Sequence, residues 1–239
     1  MTHRGEPTDM SDALLGICHS SKMQPIRDLV SKVAATNTTV LLRGESGVGK
    51  EVVARAIHKA SPRAARQFLK VNCAALPADL LESELFGYEA GAFTGASKAK
   101  PGKFEIAHKG TLLLDEIGEM SAALQAKLLH VLQDGSFSRL GGRTNITADA
   151  RILAATNIDV HKAIAEHRLR EDLYYRLNAF TMNIPPLRER REEIPILLRY
   201  FMNSMAEKFG KNPLPISEKL VQECLRFHWP GNLRELGNF

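Results

Sequence analysis

The chain of 239 residues contains few cysteines and no arrangement of them that would suit a metal or a redox site. Cys18, Cys73 and Cys224 are odd in number and far apart, and they form neither a Cys-x-x-Cys pair nor a zinc-like Cys/His spacing. We therefore expect structural, reduced thiols. A disulfide framework and a zinc-dependent activity are both disfavoured.

Long apolar runs are also missing. No run approaches the roughly 18 residues needed to span a bilayer, and residues 1–10 lack the charged-then-apolar layout of a signal peptide. We expect a cytoplasmic protein without a membrane segment. The net charge of +5 is mild and dispersed, which disfavours an extended nucleic-acid patch. Only Arg188, Arg190 and Arg191 cluster, and the glutamates between them suggest the solvated entrance of a helix.

Short apolar runs alternate with segments of helical periodicity along the first three quarters of the chain. This alternation predicts an α/β fold with a mainly parallel sheet between helices. The predicted strands lie near residues 39–42, 68–71, 111–114, 151–156 and 180–184. Two Gly-rich segments, residues 87–102 and 135–147, are predicted to be exposed excursions. Ser121 is expected to cap the helix that follows it.

Beyond Pro185 and Pro186 every pattern is helical. Residues 194–209 carry a strong amphipathic stripe, and a second helix is predicted over residues 220–225. Asn232 and Glu235 have the spacing of a capping box that would open a last helix. A small all-helical unit is therefore expected after the α/β part.

A glycine-rich segment follows the first predicted strand. It has the spacing of a phosphate loop, in which backbone N–H groups and a helix N-terminus hold phosphate oxygens. Lys50 would reach the β- and γ-phosphates. Glu51 stands where the general motif has a Ser or Thr that contacts Mg²⁺, which is one departure. The residues expected to line this nucleotide site are Gly44, Glu45, Ser46, Gly47, Val48, Gly49, Lys50 and Glu51.

Two acidic residues follow the strand predicted at 111–114. Because ligands bind at the carboxyl ends of parallel strands, Asp115 would hold Mg²⁺ and Glu116 would orient or activate the attacking water. A solvated acidic turn is the alternative for this pair. The phosphate loop in the same chain favours catalysis.

Other polar residues have positions that suit hydrolysis. Asn157 ends the next strand and would sense the γ-phosphate, or would simply end that strand. Arg170 and Arg176 flank a short helical segment, where each is either an arginine finger or a partner in a surface ion pair. Arg234, in the helical part, would clamp the nucleotide.

A short loop of small residues lies between these motifs. A single large apolar side chain, Phe93, stands within it, beside the hydroxyl of Thr94. An exposed Phe on such a loop is costly unless a partner covers it, and the alternative is a Phe that packs on its own domain. The loop consists of Gly91, Ala92, Phe93, Thr94, Gly95 and Ala96.

Together these motifs resemble the central AAA+ domain of bacterial enhancer-binding proteins, the activators of sigma-54 RNA polymerase. The resemblance runs from about Leu15 to Asn238. Glu51 is usual in that family, and Val48 is a mild variation. The matching segments are GESGVGKE (44–51), NCAA (72–75), ELFG (84–87), GAFTGA (91–96), GTLLLDE (110–116), REDLYYR (170–176), PPLRER (185–190) and WPGNLREL (229–236).

The resemblance implies a role for each candidate residue. Asp115 would be the magnesium residue and Glu116 the water residue, with Asn72 holding Glu116 aside until γ-phosphate is sensed. Asn157 would be the first sensor and Arg234 the second.

Further residues would serve the base and the neighbouring subunit. Gly16 and Ile17 lie where the family lines the adenine pocket. Arg170 and Arg176 resemble arginines presented to a neighbouring subunit, which implies a hexameric or heptameric ring.

The resemblance also implies partners and domains. The loop over residues 91–96 would contact the sigma-54 RNA polymerase holoenzyme, and residues 137–142 would form the adjacent loop that follows the nucleotide state. ATP and Mg²⁺ are the expected cofactors. We expect a linker over residues 1–14, a P-loop AAA+ subdomain over 15–185 and a helical lid over 186–239. DNA would bind through a helix-turn-helix domain outside this chain.

Two other functions fit part of the sequence. A nucleotide-binding scaffold that assembles without turnover would not need the set of Lys50, Asp115, Glu116 and Asn157. Another AAA+ machine, such as a DNA translocase or helicase loader, would lack the segment over residues 91–96.

Overall fold

The computed structural model describes residues 10–239. Most of the predicted linker lies outside these residues, although its last five already belong to the first helix. The division into subdomains stays a prediction. Within the described part, no helix is both long and apolar enough to cross a membrane.

Nine strands and eleven α-helices follow one another along the described chain, with short 3-10 helices at Ile117–Glu119, Leu187–Glu189 and Arg191–Glu193. The strands are β1 (Val40–Arg43), β2 (Phe68–Asn72), β3 (Gly87–Tyr88), β4 (Lys100–Pro101), β5 (Thr111–Asp115), β6 (Ser136–Phe137), β7 (Ile146–Thr147), β8 (Arg151–Thr156) and β9 (Phe180–Asn183). The helices are α1 (Met10–Ile17), α2 (Gln24–Ala34), α3 (Lys50–Lys59), α4 (Ala78–Phe86), α5 (Lys103–Ile106), α6 (Ala122–Asp134), α7 (Val160–Ala165), α8 (Glu171–Leu177), α9 (Ile194–Lys208), α10 (Glu218–Arg226) and α11 (Asn232–Asn238).

The predicted parallel sheet is confirmed. Five strands pair in the order β2-β5-β8-β1-β9, and every pairing is parallel. Asn72 is the register partner of Asp115, and Arg43 that of Thr156. The ends of these strands, and the residues that follow them, therefore meet at one edge of the sheet, where parallel sheets bind ligands.

Alternating side chains of the central strands supply two cores. Leu112 and Leu114 face one side, where they join α4 and α6, while Leu113 faces the other side with α2 and α3. All three leucines are fully buried. This burial on both faces explains why strand β5 reads as a continuous apolar run rather than an alternating one.

The helical unit after Pro186 continues the second of these cores. Leu197 of α9, Trp229 and Leu236 of α11 belong to the same buried cluster as Val53 of α3. This helical unit, called the lid below, therefore packs on the face of the sheet that carries α3. All-helical structure in this part is confirmed.

The two predicted excursions are more ordered than a pair of loops. Strands β3 and β4 pair at the base of the first, and β6 and β7 at the base of the second. The excursions also join each other, because Tyr88 bridges to Leu140 and the Glu89 N–H donates to the Leu140 carbonyl at 3.0 Å. Strands of two residues are too short to leave a periodic pattern in the sequence.

Ser121 caps α6 as predicted, accepting a hydrogen bond from the Leu124 N–H at 3.3 Å. The capping box at Asn232 is wrong. Asn232 is the first residue of α11 and its side chain points to the phosphate loop and to the N–H of Leu187, while Glu235 alone accepts from the Gly231 N–H. Asn232 is fully buried, so tertiary contacts outweigh the local cap.

The arginine cluster is a solvated helix entrance only in part, because Arg188, Glu189 and Glu192 are exposed before α9 while Arg190 and Glu193 are buried. Arg190 is 1% exposed and Glu193 2%, and their side chains form an ion pair at 3.2 Å. Arg190 also donates to the Val48 carbonyl at 2.7 Å, and Glu193 accepts from the Ser20 N–H at 3.0 Å. The pair therefore joins the start of the lid to the phosphate loop and to the segment before α2.

Candidate functional site

The phosphate loop connects β1 to α3 and has the backbone that its glycines permit. Gly44, Gly47 and Gly49 all have positive φ angles, of 155°, 77° and 105°. A Cβ at Gly47 would lie 2.3 Å from the Gly231 carbonyl oxygen, so this glycine is needed both for its backbone angle and for close approach of the lid. Helix α3 begins directly after the loop, with its N-terminus available for an anion.

Lys50 is buried and lies among the oxygen atoms of the site. Its ammonium donates to the carbonyls of Gly44 at 2.9 Å and Glu45 at 3.3 Å. It also lies 3.5 Å from Oε1 of Glu116. The structure thus brings the phosphate loop and the acidic pair into one site.

Asp115 ends β5 at the edge where the parallel strands meet, and Glu116 directly follows it. Glu116 has a left-handed backbone with φ of 56°, which is costly for a residue with a side chain and is typical of functional sites. Behind them Cys73 is buried, and its burial, with the nearby charges of Asp115 and Glu116, raises the pKa of its thiol to about 12. That thiol is inert at neutral pH.

Glu51 lies in the first turn of α3, at the position where the general motif has a Ser or Thr that contacts Mg²⁺. Here the side chain contacts cationic side chains of the protein. Its carboxylate accepts from Arg55 at 2.8 Å and from Lys70 at 2.7 Å. Lys70, on β2, also lies 3.1 Å from Oδ2 of Asp115. Lys70 could not be identified from the sequence, because one lysine on a strand has no distinctive spacing.

The residues present fit a magnesium ion. Asp115 offers carboxylate oxygen at the sheet edge, beside the loop that would hold phosphates, and oxygen is the ligand that Mg²⁺ prefers. The described residues hold no cluster of three or more His, Cys, Asp or Glu suited to a metal.

The two asparagines lie at the same edge of the sheet as the acidic pair. The Asn72 side chain accepts from the Ala74 N–H at 2.9 Å, and no hydrogen bond joins it to Glu116 within residues 10–239. Asn157 is exposed and directly follows β8, the neighbour of β5 in the sheet. Their positions suit the predicted roles, which stay predictions.

Arg170 precedes α8, whereas Arg176 lies in the last turn of that helix rather than beyond it, and both are exposed. Arg170 forms a bidentate pair with Asp172, at 2.7 and 3.0 Å, and Arg176 donates to the Leu132 carbonyl at 2.7 Å. Within the described chain neither contacts the phosphate loop. Each guanidinium is held on the surface by a single partner residue.

The lid contacts the phosphate loop at four successive residues. Glu45 pairs with Arg188 at 2.6 Å, and this hydrogen bond lowers the pKa of the carboxyl. Arg234 donates to the Ser46 hydroxyl at 2.9 Å. The Gly47 carbonyl accepts from the Leu233 N–H at 2.9 Å, and the Val48 carbonyl from Arg190. Among these lid residues, a role at the nucleotide site was predicted from the sequence for Arg234 alone.

Gly16 and Ile17 lie at the end of α1. Gly16 is exposed and Ile17 half-buried, and neither lines the small cavity beside the loop. Their neighbours Leu14, Leu15 and Cys18 do line it, together with Val48 and Gly49. The adenine assignment of Gly16 and Ile17 stays a prediction.

The loop over residues 91–96 is compact and presents its aromatic residue. The Gly91 N–H donates to the Ala96 carbonyl at 2.8 Å and closes the loop. Phe93 is 44% exposed and packs edge-on against Tyr88, with 4.9 Å between ring centroids. Both interpretations of Phe93 are thus partly met: one edge rests on its own domain, while the rest is open to a partner.

Two models of known protein families match the chain. The sigma-54 interaction domain matches residues 17–183, and the AAA+ ATPase lid domain matches residues 188–239. The Nif-specific regulatory protein of Herbaspirillum seropedicae is 52% identical over 95% of this chain and 42% of its own length. The formate hydrogenlyase transcriptional activator of Salmonella typhimurium is 50% identical over 93% of this chain and 32% of its own.

Solved structures agree with these matches. NtrX from Brucella abortus superposes with a TM-score of 0.88 at 40% identity, over 96% of this chain and 52% of that one. A second structure of NtrX, in complex with ATP, has a TM-score of 0.85. This chain thus spans between 32% and 52% of the length of these relatives. With a matching family model over most of its length, the chain belongs to the sigma-54-dependent transcriptional activators and comprises their AAA+ domain.

Proposed function

We propose that this chain hydrolyses ATP with Mg²⁺ and uses the energy to remodel the closed promoter complex of sigma-54 RNA polymerase. The observation that carries the proposal is the contact of Lys50 with Glu116 at 3.5 Å, which joins the phosphate loop to an acidic pair in one site. ATP bound to NtrX, a relative at 40% identity, supports the choice of nucleotide.

Each residue of the site has a step that its position suits. Loop N–H groups would hold phosphate oxygens, and Lys50 would exchange two backbone carbonyls for the β- and γ-phosphates. Asp115 would hold Mg²⁺, which neutralises developing charge on the phosphates. Glu116 would accept a hydrogen bond from the attacking water and take up its proton.

Residues around this centre would sense the bound nucleotide and complete the catalytic site. Asn157 and Arg234 would contact the nucleotide, and Asn72 would accept Glu116 as its alternative partner. Arg170 and Arg176 are exposed and would be presented to a neighbouring subunit of a hexameric or heptameric ring. Arginines supplied to a neighbour in this way accelerate phosphoryl transfer by about 10³- to 10⁵-fold.

The loop over residues 91–96 would deliver the output. The excursion that carries this loop is bridged to the second excursion through Tyr88 and Leu140, which offers a route by which nucleotide state changes the loop's position. Phe93 and Thr94 would then engage sigma-54 in the cytoplasm. DNA would be held by a domain outside this chain.

Phe93→Ala provides the test. We expect near-normal ATP hydrolysis, because Phe93 lies outside the nucleotide site, and loss of ATP-analogue-dependent capture of sigma-54. Phe209→Ala is the matched control, since Phe209 is an exposed phenyl on the lid, and it should retain both properties. Sigma-54 capture by Phe93→Ala at the parental level would refute the loop assignment. A parental chain without ATP hydrolysis at any concentration would favour a scaffold.

A further inference from the structure

Lys70 lies between two carboxylates at the nucleotide site. Its ammonium is 2.7 Å from Oε2 of Glu51 and 3.1 Å from Oδ2 of Asp115. Glu51 belongs to the helix that follows the phosphate loop, and Asp115 ends the neighbouring strand. A single flexible cation therefore joins the residue expected to hold Mg²⁺ to the residue that replaces the usual hydroxyl ligand.

The surroundings of Lys70 and Glu51 favour the charged form of both side chains. Burial acts to lower the pKa of Lys70, but hydrogen bonds and charge from Glu51 and Asp115 outweigh it and raise that pKa. Burial acts to raise the pKa of Glu51, but hydrogen bonds and charge from Lys70 and Arg55 outweigh it and lower that pKa. Lys70 is thus a full positive charge placed against Asp115.

A positive charge at this distance opposes a metal ion. Lys70 occupies one oxygen of Asp115, and like charges a few ångströms apart repel even when water screens them. Lys70 has a second partner, however. It can leave Asp115 and stay paired with Glu51, whose carboxylate also holds Arg55 at 2.8 Å. The Glu51 carboxylate is therefore already paired with two cations of the chain and is not available as a metal ligand.

We propose that Lys70 is a positioning residue that competes with Mg²⁺ for Asp115. When the nucleotide is bound with its metal, Lys70 leaves Asp115 and stays paired with Glu51 alone. This inference rests on the proposed function, since it concerns the magnesium site of that function. Its consequence is that Lys70 and Glu51 shift metal affinity in opposite directions, which a purely structural role would not produce.

Binding of Mn²⁺ in the presence of ADP, followed by electron paramagnetic resonance, measures this affinity without turnover. Lys70→Met should bind Mn²⁺ about three- to tenfold more tightly, because one opposing charge is gone. Glu51→Gln should bind it more weakly by a similar factor, because Lys70 is left with Asp115 alone. Lys70→Arg keeps the charge and should stay close to the parental affinity.

A double variant separates competition from a general effect of charge. If Glu51 acts through Lys70, Glu51→Gln should change little in the Lys70→Met background. The matched control is Lys109→Met, which removes the same charge from a pair with Asp149 at 2.9 Å, just before β5. It should leave Mn²⁺ affinity unchanged.

Two outcomes overturn the inference, and they are distinct. Equal Mn²⁺ affinity of Lys70→Met, Lys109→Met and the parental chain would remove Lys70 from metal binding while leaving the proposed function intact. A parental chain that binds no Mn²⁺ with ADP would refute the proposed function and the role of Lys70 together.

Discussion

At the scale of single residues, the buried pair of Arg190 and Glu193 is the most costly to disturb. Both side chains are almost completely buried, and Glu193 also accepts from the backbone and hydroxyl of Ser20. Removing one charge of such a pair leaves the other uncompensated in an apolar surrounding.

Arg190→Met should therefore lower the free energy of unfolding by about 3–5 kcal/mol. The measurement is urea denaturation. Arg226→Met is the control, because its pair with Glu223 is 76% and 61% exposed, and it should cost well under about 1 kcal/mol. Equal stability of the two variants would contradict the buried-pair account.

At the scale of elements, the two excursions behave as one unit through Gly141. A Cβ at Gly141 would lie 2.9 Å from the Cβ of Ala92 in the neighbouring loop. Gly135, at the start of the same excursion, also has a positive φ, of 67° against 70° for Gly141, but a Cβ there would meet open space.

Gly141→Ala should shift the loop over residues 91–96 and weaken ATP-analogue-dependent capture of sigma-54, while nucleotide binding stays intact. Gly135→Ala carries a similar backbone cost, about 1–2 kcal/mol, without the clash. Hydrogen exchange of residues 91–96 should change in the first variant alone. Matching exchange in both variants would leave strain, not contact, as the cause.

The elements also show what the sequence could reveal. Strand β5 and its Asp115 were predictable because a strand buried on both faces reads as a continuous apolar run ending in charge. Lys50 was predictable from local glycine spacing. The contacts of Arg190 and Asn232 were not, since they join residues more than 140 positions apart and depend on how the lid packs.

Some local signals also competed with tertiary contacts. Asn232 and Glu235 have the spacing of a capping box, yet the asparagine donates to the Ser46 carbonyl at 3.0 Å instead. Lys70 carried no signal at all, because its role comes from the neighbouring strand and helix. What sequence reasoning missed is therefore the set of contacts made between distant segments.

At the scale of the whole molecule, a ring implies sites shared between subunits. Inactive Arg176→Ala subunits keep their own phosphate loop, and inactive Lys50→Ala subunits keep their arginines. An equal mixture should recover activity at about a quarter of the interfaces, because each needs one intact partner of each kind.

Steady-state ATP hydrolysis across mixing ratios measures this recovery. Mixing Lys50→Ala with Asp115→Ala is the control, since both defects lie in the nucleotide site of one subunit and no new pairing repairs them. Equal activity of the two mixtures would argue that Arg176 acts within its own chain.

The contacts between the lid and the phosphate loop also limit how segments of related proteins can be joined in a chimaera. A lid transplanted from a distant relative would have to bring Arg188, Arg190, Asn232 and Arg234 in register with residues 45–48. A chimaera joined at the start of the helical lid would otherwise lose the hydrogen bonds and the ion pair that hold the phosphate loop. The workable crossover points for a chimaera therefore lie outside the loop and the lid taken together.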